Sequence, residues 1–145
     1  MILLGEISVN YIKGKNLKYY MIPIENLMSK PVITVKPEDS IYTAVRKMVN
    51  KNIGAVVVIN KDKSLAGILT ERDVLKRIVI KKREIKETKV KDVMTKKIQT
   101  ATTNSTVLEI SKLMENGHLR RIPVISNNKV TGIITARDII KFMSL

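Results

Sequence analysis

The chain has 145 residues, 44% of them hydrophobic and 28% charged, with few Gly and Pro, which is the composition of a globular protein rather than a disordered or fibrous one. The absence of cysteine and the presence of one histidine, His118, exclude disulfide scaffolds, cysteine nucleophiles, Cys-based metal centres and any multi-His site within one chain. A net charge of +14, from 27 Lys and Arg against 13 Asp and Glu, draws phosphates, nucleic acid or anionic surfaces, while aromatics at 3% leave few platforms for stacking on single strands.

Residues 1–27 come first and fall outside the pattern described below. Within them Ile7–Ile12 reads as a strand and Tyr19–Leu27 as a lead-in. Glu6 interrupts the opening Met1–Leu4 before a signal-peptide core could form. The longest apolar run, Ile53–Ile59, falls far short of the roughly 20 residues a membrane-spanning helix needs, so a soluble, cytoplasmic protein without a membrane partner is expected.

From residue 28 the elements are clear. Val32–Val35 reads as a short strand, and Asp39 or Ser40 caps a helix whose apolar residues Ile41, Ala44, Val45, Met48 and Val49 follow the i, i+3, i+4 stripe. Ile53–Asn60 is a strand, and its continuous apolar run implies burial on both faces. The polar turn Lys61–Ser64 leads to a strand at Leu65–Leu69 and a helix from Thr70 to about Ile80. A basic stretch follows: Lys76 to Lys97 carries ten Lys and Arg against Glu84, Glu87 and Asp92, and it reads as a solvated helix end and linker, with a dedicated binding surface as the other reading. A strand then begins near Ile98, a helix spans Thr106–Asn116 and stops at Gly117, a strand holds Ile122–Ile125, Asn127-Asn128 turns, and a last helix starts near Thr135.

This order is one unit repeated. Met28 falls on Met94 at a spacing of 66 residues, and the spacing holds for Met48 on Met114, Asn50 on Asn116 and Val58-Ile59 on Val124-Ile125. One residue is lost at the second turn, after which GILTERDVLK at Gly67 meets GIITARDIIK at Gly132. A unit of about 50 residues is too small for a core of its own, so an α/β (α+β) fold is expected in which two β-α-β-β-α units pack sheet to sheet about a pseudo-twofold axis, with paired clefts. The division is 1–27 as an extension, 28–80 and 94–145 as the two units, and 81–93 as a basic linker.

The repeated Thr-x-Arg-Asp lies where a buried strand turns into a helix. Thr70 with Asp73, and Thr135 with Asp138, form capping boxes, which is a sufficient structural reason for both residues. The same geometry also suits a ligand, because a carboxylate at a cleft mouth accepts two hydrogen bonds from a ribose diol while the Thr hydroxyl meets sugar or phosphate oxygens. Arg72 and Arg137 are first-turn cations that oppose the helix dipole, and either solvent or a nearby anion accounts for them.

Taken together, Thr34 and Thr100, the Met-terminated helices, the strands GAVVVI and RRIPVI, and the GILTERD and GIITARD elements resemble a tandem pair of cystathionine-β-synthase (CBS) domains, the Bateman module, over residues 28–143. The resemblance implies two clefts for adenosine derivatives such as AMP, ADP, ATP, S-adenosylmethionine or NAD, with Asp73 and Asp138 as the ribose-binding residues and Thr70 and Thr135 beside them. His118-Leu119-Arg120-Arg121-Ile122-Pro123-Val124 is similar to the basic stretch that meets phosphate in energy-sensing members. Of these residues Arg120 and Arg121 are the candidates, and His118 reads as a surface residue. The first unit has Gly54 and Ala55 at the positions of Arg120 and Arg121, small enough to admit a purine ring.

The function expected is a regulatory module that senses an adenine nucleotide or adenosyl compound and signals to a protein target. It has no catalytic residue, metal site or cofactor, the adenosyl ligand being an effector. The alternatives are a nucleic-acid-binding protein that uses its charge, and an adaptor in which only the sheet and helix faces matter. A homodimer is expected from apolar surface assigned to Met48, Val49 and Met114.

Overall fold

Ser40 is extended and its hydroxyl accepts from the Thr43 amide, which starts α1 at Ile41–Lys51; Asn52, left-handed at φ 53°, ends it. In the second unit Thr106 and Glu109 form a capping box that starts α3 at Val107–Gly117, and His118 closes it at φ 51°. The computed structural model describes residues 17–144, so the strand expected at Ile7–Ile12 lies outside the described residues.

The first unit contains a three-stranded sheet. Its β1 (Thr34–Val35) runs parallel to β2 (Ala55–Ile59), and β2 is antiparallel to β3 (Leu65–Thr70). The second unit pairs β4 (Arg121–Ser126) with β5 (Lys129–Thr135) around the left-handed pair Asn127-Asn128. The strand expected from Ile98 is reduced to one parallel bridge, Ala101 to Val124, at the position equivalent to Val35 on Val58. As the unbroken apolar run of β2 implied, Ala55, Val56, Val57 and Val58 are all buried.

The helix expected at Thr70–Ile80 starts as α2, Glu71–Val74, and then widens into a π turn over Leu75–Val79, which the Ile80 amide closes on the Leu75 carbonyl. Ile78 enters the core there, and Leu75, Val79 and Ile80 stay exposed. The last helix, α4, runs from Ala136 to Met143.

Two cores form, and each borrows a segment from the other half. Ile24 and Met28 pack with Val107, Ile110, Met114, Ile122 and Ile134 of the second unit, while Val90 and Val93 pack with Ile41, Ala44, Met48, Val56 and Leu69 of the first. The exchange is reciprocal in the backbone. The Ile24 amide donates to Ser105 and that of Val107 to Ile22; equivalently, the Val90 amide donates to Asp39 and that of Ile41 to Thr88, all at 2.8–2.9 Å. The repeat therefore reaches back to Ile24 and Val90, and two readings are corrected. The end of the basic stretch keeps its cations exposed but is no free linker, because Val90 and Val93 are buried in a core, and Met48 and Met114 are core residues rather than outer surface. The glycines that open GILT and GIIT have a physical reason here: a β-carbon at Gly67 would overlap the Met94 thioether and the Thr95 carbonyl, and one at Gly132 the Met28 thioether.

Candidate ligand clefts

Each Thr-x-Arg-Asp element sits at the end of an antiparallel pair, so the start of β2 lies beside Thr70 and the start of β4 beside Thr135. Ala55 pairs with Thr70 and Arg121 with Thr135. The Glu71 amide donates to the Gly54 carbonyl and the Ala136 amide to that of Arg120. Both capping boxes are formed. Thr70 N–H donates to Asp73 Oδ2 at 3.0 Å and Asp73 N–H to Thr70 Oγ1 at 3.1 Å, and the Thr135–Asp138 pair repeats these at 2.9 and 3.1 Å.

Two clefts open where these turns face the opposite unit. The Asp138 cleft, about 520 Å³, is lined by Thr135, Arg137 and Asp138 and, across from them, by Ser29, Pro31–Ile33 and Ile53–Ala55. The Asp73 cleft, about 900 Å³, is lined by Thr70, Arg72 and Asp73 and, across from them, by Thr95–Gln99 and His118–Arg121. Both volumes lie in the range of small-molecule sites. Every expected site residue except Thr34 and Thr100 lines a cleft. The lining stops at Ile33 and Gln99, one position earlier, and Thr34 uses its carbonyl to accept from Lys47 Nζ at 2.8 Å.

Position by position the two walls differ in chemistry. By the internal alignment Lys97 lies across from Asp73 as Pro31 lies across from Asp138, Gln99 as Ile33 does, and Arg120 and Arg121 as Gly54 and Ala55 do, the two arginines also lining the Asp138 cleft from its own unit. The Asp73 cleft thus gathers five cations, Arg72, Lys96, Lys97, Arg120 and Arg121, around Glu71 and Asp73. His118, expected at the surface, is exposed and also borders this cleft. The carboxylates differ as well. Asp73 is buried, its Oδ1 accepts the Thr95 hydroxyl at 3.1 Å, and the Arg77 guanidinium stands 3.8 Å away. Asp138 is half-buried, and among the described residues its Oδ1 has no such partner. A carboxylate oxygen has two acceptor directions, so Asp73 retains capacity for a diol beside Thr95, and Asp138 offers a whole oxygen.

Sequence reasoning missed Thr95, Lys96 and Lys97 on the cleft wall. The alignment of Ser29 with Thr95 held the signal, but the crossing of the lead-in segments that brings these residues opposite Asp73 is tertiary. Gly54, Arg120 and Arg121 line both clefts, so the arginines face Asp73 of the other unit and Asp138 of their own.

Among the described residues no cluster of metal-ligating side chains occurs, and no helix is long and apolar enough to cross a membrane. Residues 24–80 and 90–145 each match the family described as CBS domain. Among similar proteins, MJ1225 of Methanocaldococcus jannaschii is 30% identical over 143 residues, which is 96% of this chain and 50% of that protein. The chain therefore spans about half the length of that relative. The solved CBS domain NE2398 superposes with a TM-score of 0.80 at 32% identity, covering 86% of this chain and all of the other. The CBS pair of MJ0100, solved with 5′-methylthioadenosine and S-adenosylmethionine, superposes at 0.77 with 25% identity over 86% of this chain and 97% of its own. With both units matched in sequence and the paired fold matched in structure, the chain belongs to the CBS-domain family, as a tandem pair.

Proposed function

We propose that the pair is a regulatory module that binds adenosyl ligands in its two clefts and passes the resulting change to a protein target, without a catalytic step of its own. The observation that carries this reading is a capped carboxylate, Asp73 or Asp138, on the wall of each cleft between the units. Each carboxylate holds the ribose diol, with Thr70 or Thr135 beside it. The adenosyl compounds bound by the similar MJ0100 pair support the ligand class. The Asp73 cleft takes the phosphorylated ligand, because its five cations against three on the other offer more charge-assisted bonds to phosphate, and the Asp138 cleft takes a nucleoside with an apolar or absent tail against Pro31, Val32, Ile33 and Ile140.

A thermal-shift screen of AMP, ADP, ATP, S-adenosylmethionine, methylthioadenosine and NAD tests the reading. At a hundredfold excess over Kd, one bound ligand stabilises by about 2.7 kcal/mol, or several degrees. Silence across the panel, or shifts that survive the Asp73→Ala/Asp138→Ala double variant, overturns it.

The module works in the cytoplasm as a homodimer. Exposed Val49 and Leu75, which line a groove of about 480 Å³ between α1 and α2, and exposed Ile80 supply apolar surface for it, whereas Met48 and Met114 are largely buried. Light scattering at about twice 16.4 kDa is the expected result. A second reading, nucleic-acid binding, has one supporting observation, the exposed cations Lys81, Lys82, Arg83 and Lys86. It displaces the first if submicromolar, sequence-dependent binding persists at physiological salt.

A further inference from the structure

The two clefts share a wall, and that wall carries cations common to both. Gly54, Arg120 and Arg121 line both cavities, because the starts of β2 and β4 meet between them. On this wall the Arg121 guanidinium packs over Gly54, in space that a β-carbon there would occupy, and the Glu71 carboxylate reaches the same place. The missing side chain at residue 54 is what lets a single guanidinium sit between the cavities. The Asp73 cleft has further cations in Arg72, Lys96 and Lys97, whereas among the described residues the one other cation lining the Asp138 cleft besides the shared pair is its own Arg137.

We infer that Arg121 is a shared anion-binding residue that sets the clefts in competition for phosphorylated ligands: a phosphate bound in the Asp73 cleft takes the guanidinium, so the Asp138 cleft holds a second phosphorylated ligand about tenfold less tightly and an unphosphorylated nucleoside as before. This rests on the proposed function and adds a rule of joint occupancy to it. The physical ground is that one guanidinium cannot form its bidentate bonds in two cavities at once. Losing one charge-assisted bond weakens a phosphate ligand by about tenfold or more. A ligand without phosphate has nothing to lose. A mixed pair, nucleotide in one cleft and nucleoside in the other, is then the stable fully loaded state.

The test follows AMP and adenosine by amide NMR, with Thr70 and Asp73 reporting one cleft and Thr135 and Asp138 the other. Asp73→Asn, which keeps a side-chain oxygen for the cap, is used to empty the first cleft, with Asp73→Ala in its place if Thr70 still responds to AMP. In that background, adding Arg121→Gln is expected to weaken AMP at the Asp138 cleft about tenfold and to leave adenosine unchanged. In the otherwise unaltered chain with AMP filling the Asp73 cleft, Arg121→Gln is expected to leave the second AMP event unchanged. Equal losses in both backgrounds, or a loss in neither, overturn the sharing of Arg121 and leave the proposed function standing. No response to either ligand at Thr70, Asp73, Thr135 or Asp138 in the unaltered chain overturns the proposed function itself, and the sharing with it.

Discussion

The Asp73 and Asp138 clefts share one backbone frame and carry different chemistry. Both are lined by a capping box, a lead-in segment across from it and a strand start. On the wall across from the carboxylate, Pro31, Ile33, Gly54 and Ala55 of one have Lys97, Gln99, Arg120 and Arg121 as their counterparts in the other, with Gly54 and the two arginines shared between the clefts. The core positions tell the opposite story, since Ile41, Met48, Val56 and Leu69 have Val107, Met114, Ile122 and Ile134 as apolar counterparts. Packing holds the repeated residues to one character because a polar group there would be buried unpaired. Cleft positions are released from that constraint, and a duplicated scaffold thereby acquires two unlike sites.

The largest expected effect concerns the exchanged segments on which both halves rely. Ile24 is fully buried in the second core although it precedes the first unit, so Ile24→Ala should destabilise by about 2–5 kcal/mol. Urea denaturation gives the size, and hydrogen exchange should show the loosening in α3 before α1. Loosening confined to α1 would mean that the exchange is not as described.

Next in size, the glycines under the exchanged methionines distinguish the halves. A β-carbon at Gly67 meets the Thr95 backbone as well as the Met94 thioether, while at Gly132 the three nearest atoms all belong to the flexible side chain of Met28. Gly67→Ala should therefore cost about 1–3 kcal/mol and Gly132→Ala less. Melting temperatures of the two variants compare them directly, and equal shifts would contradict the difference in close contacts.

Arg120→Ala/Arg121→Ala sharpens the contrast in chemistry. We expect AMP affinity to fall by about ten- to a hundredfold and adenosine affinity much less, as read by calorimetry. Equal losses for both ligands, or none, would reduce the arginines to a solvated strand end.

The smallest effect is an ionic brace present in one half. Glu38 accepts from Lys89 at 2.7 Å and Lys91 at 2.8 Å, tying the loop before α1 to the exchanged segment; the equivalent positions in the other half are Asn104, Pro23 and Glu25. The hydrogen bonds from Lys89 and then Lys91 lower the Glu38 carboxyl to about 2 from its ordinary 4.5. A depressed carboxyl stabilises the fold above its unfolded value, and that contribution is lost as pH falls from about 5 towards 2. Glu38→Gln should flatten this limb of the stability profile, and added salt should shrink it, since all three groups are solvent-exposed. An acid limb unchanged in the variant would assign the effect to other carboxylates.

The sequence alone determined the duplicated unit, the capping boxes at Thr70–Asp73 and Thr135–Asp138, and the burial of β2, because periodicity, caps and apolar runs are local signals read over a few residues. It also carried the basic contrast between Arg120-Arg121 and Gly54-Ala55, which one internal alignment exposes. Tertiary structure decided what crosses between the units. Ile24 and Val90 looked like parts of an extension and a linker, yet they are buried in opposite cores because each unit lacks the apolar area to close alone. That crossing brings Thr95, Lys96 and Lys97 opposite Asp73, and the meeting of two strand starts places Arg121 over Gly54 between both clefts, a contact 67 residues apart that no local pattern encodes.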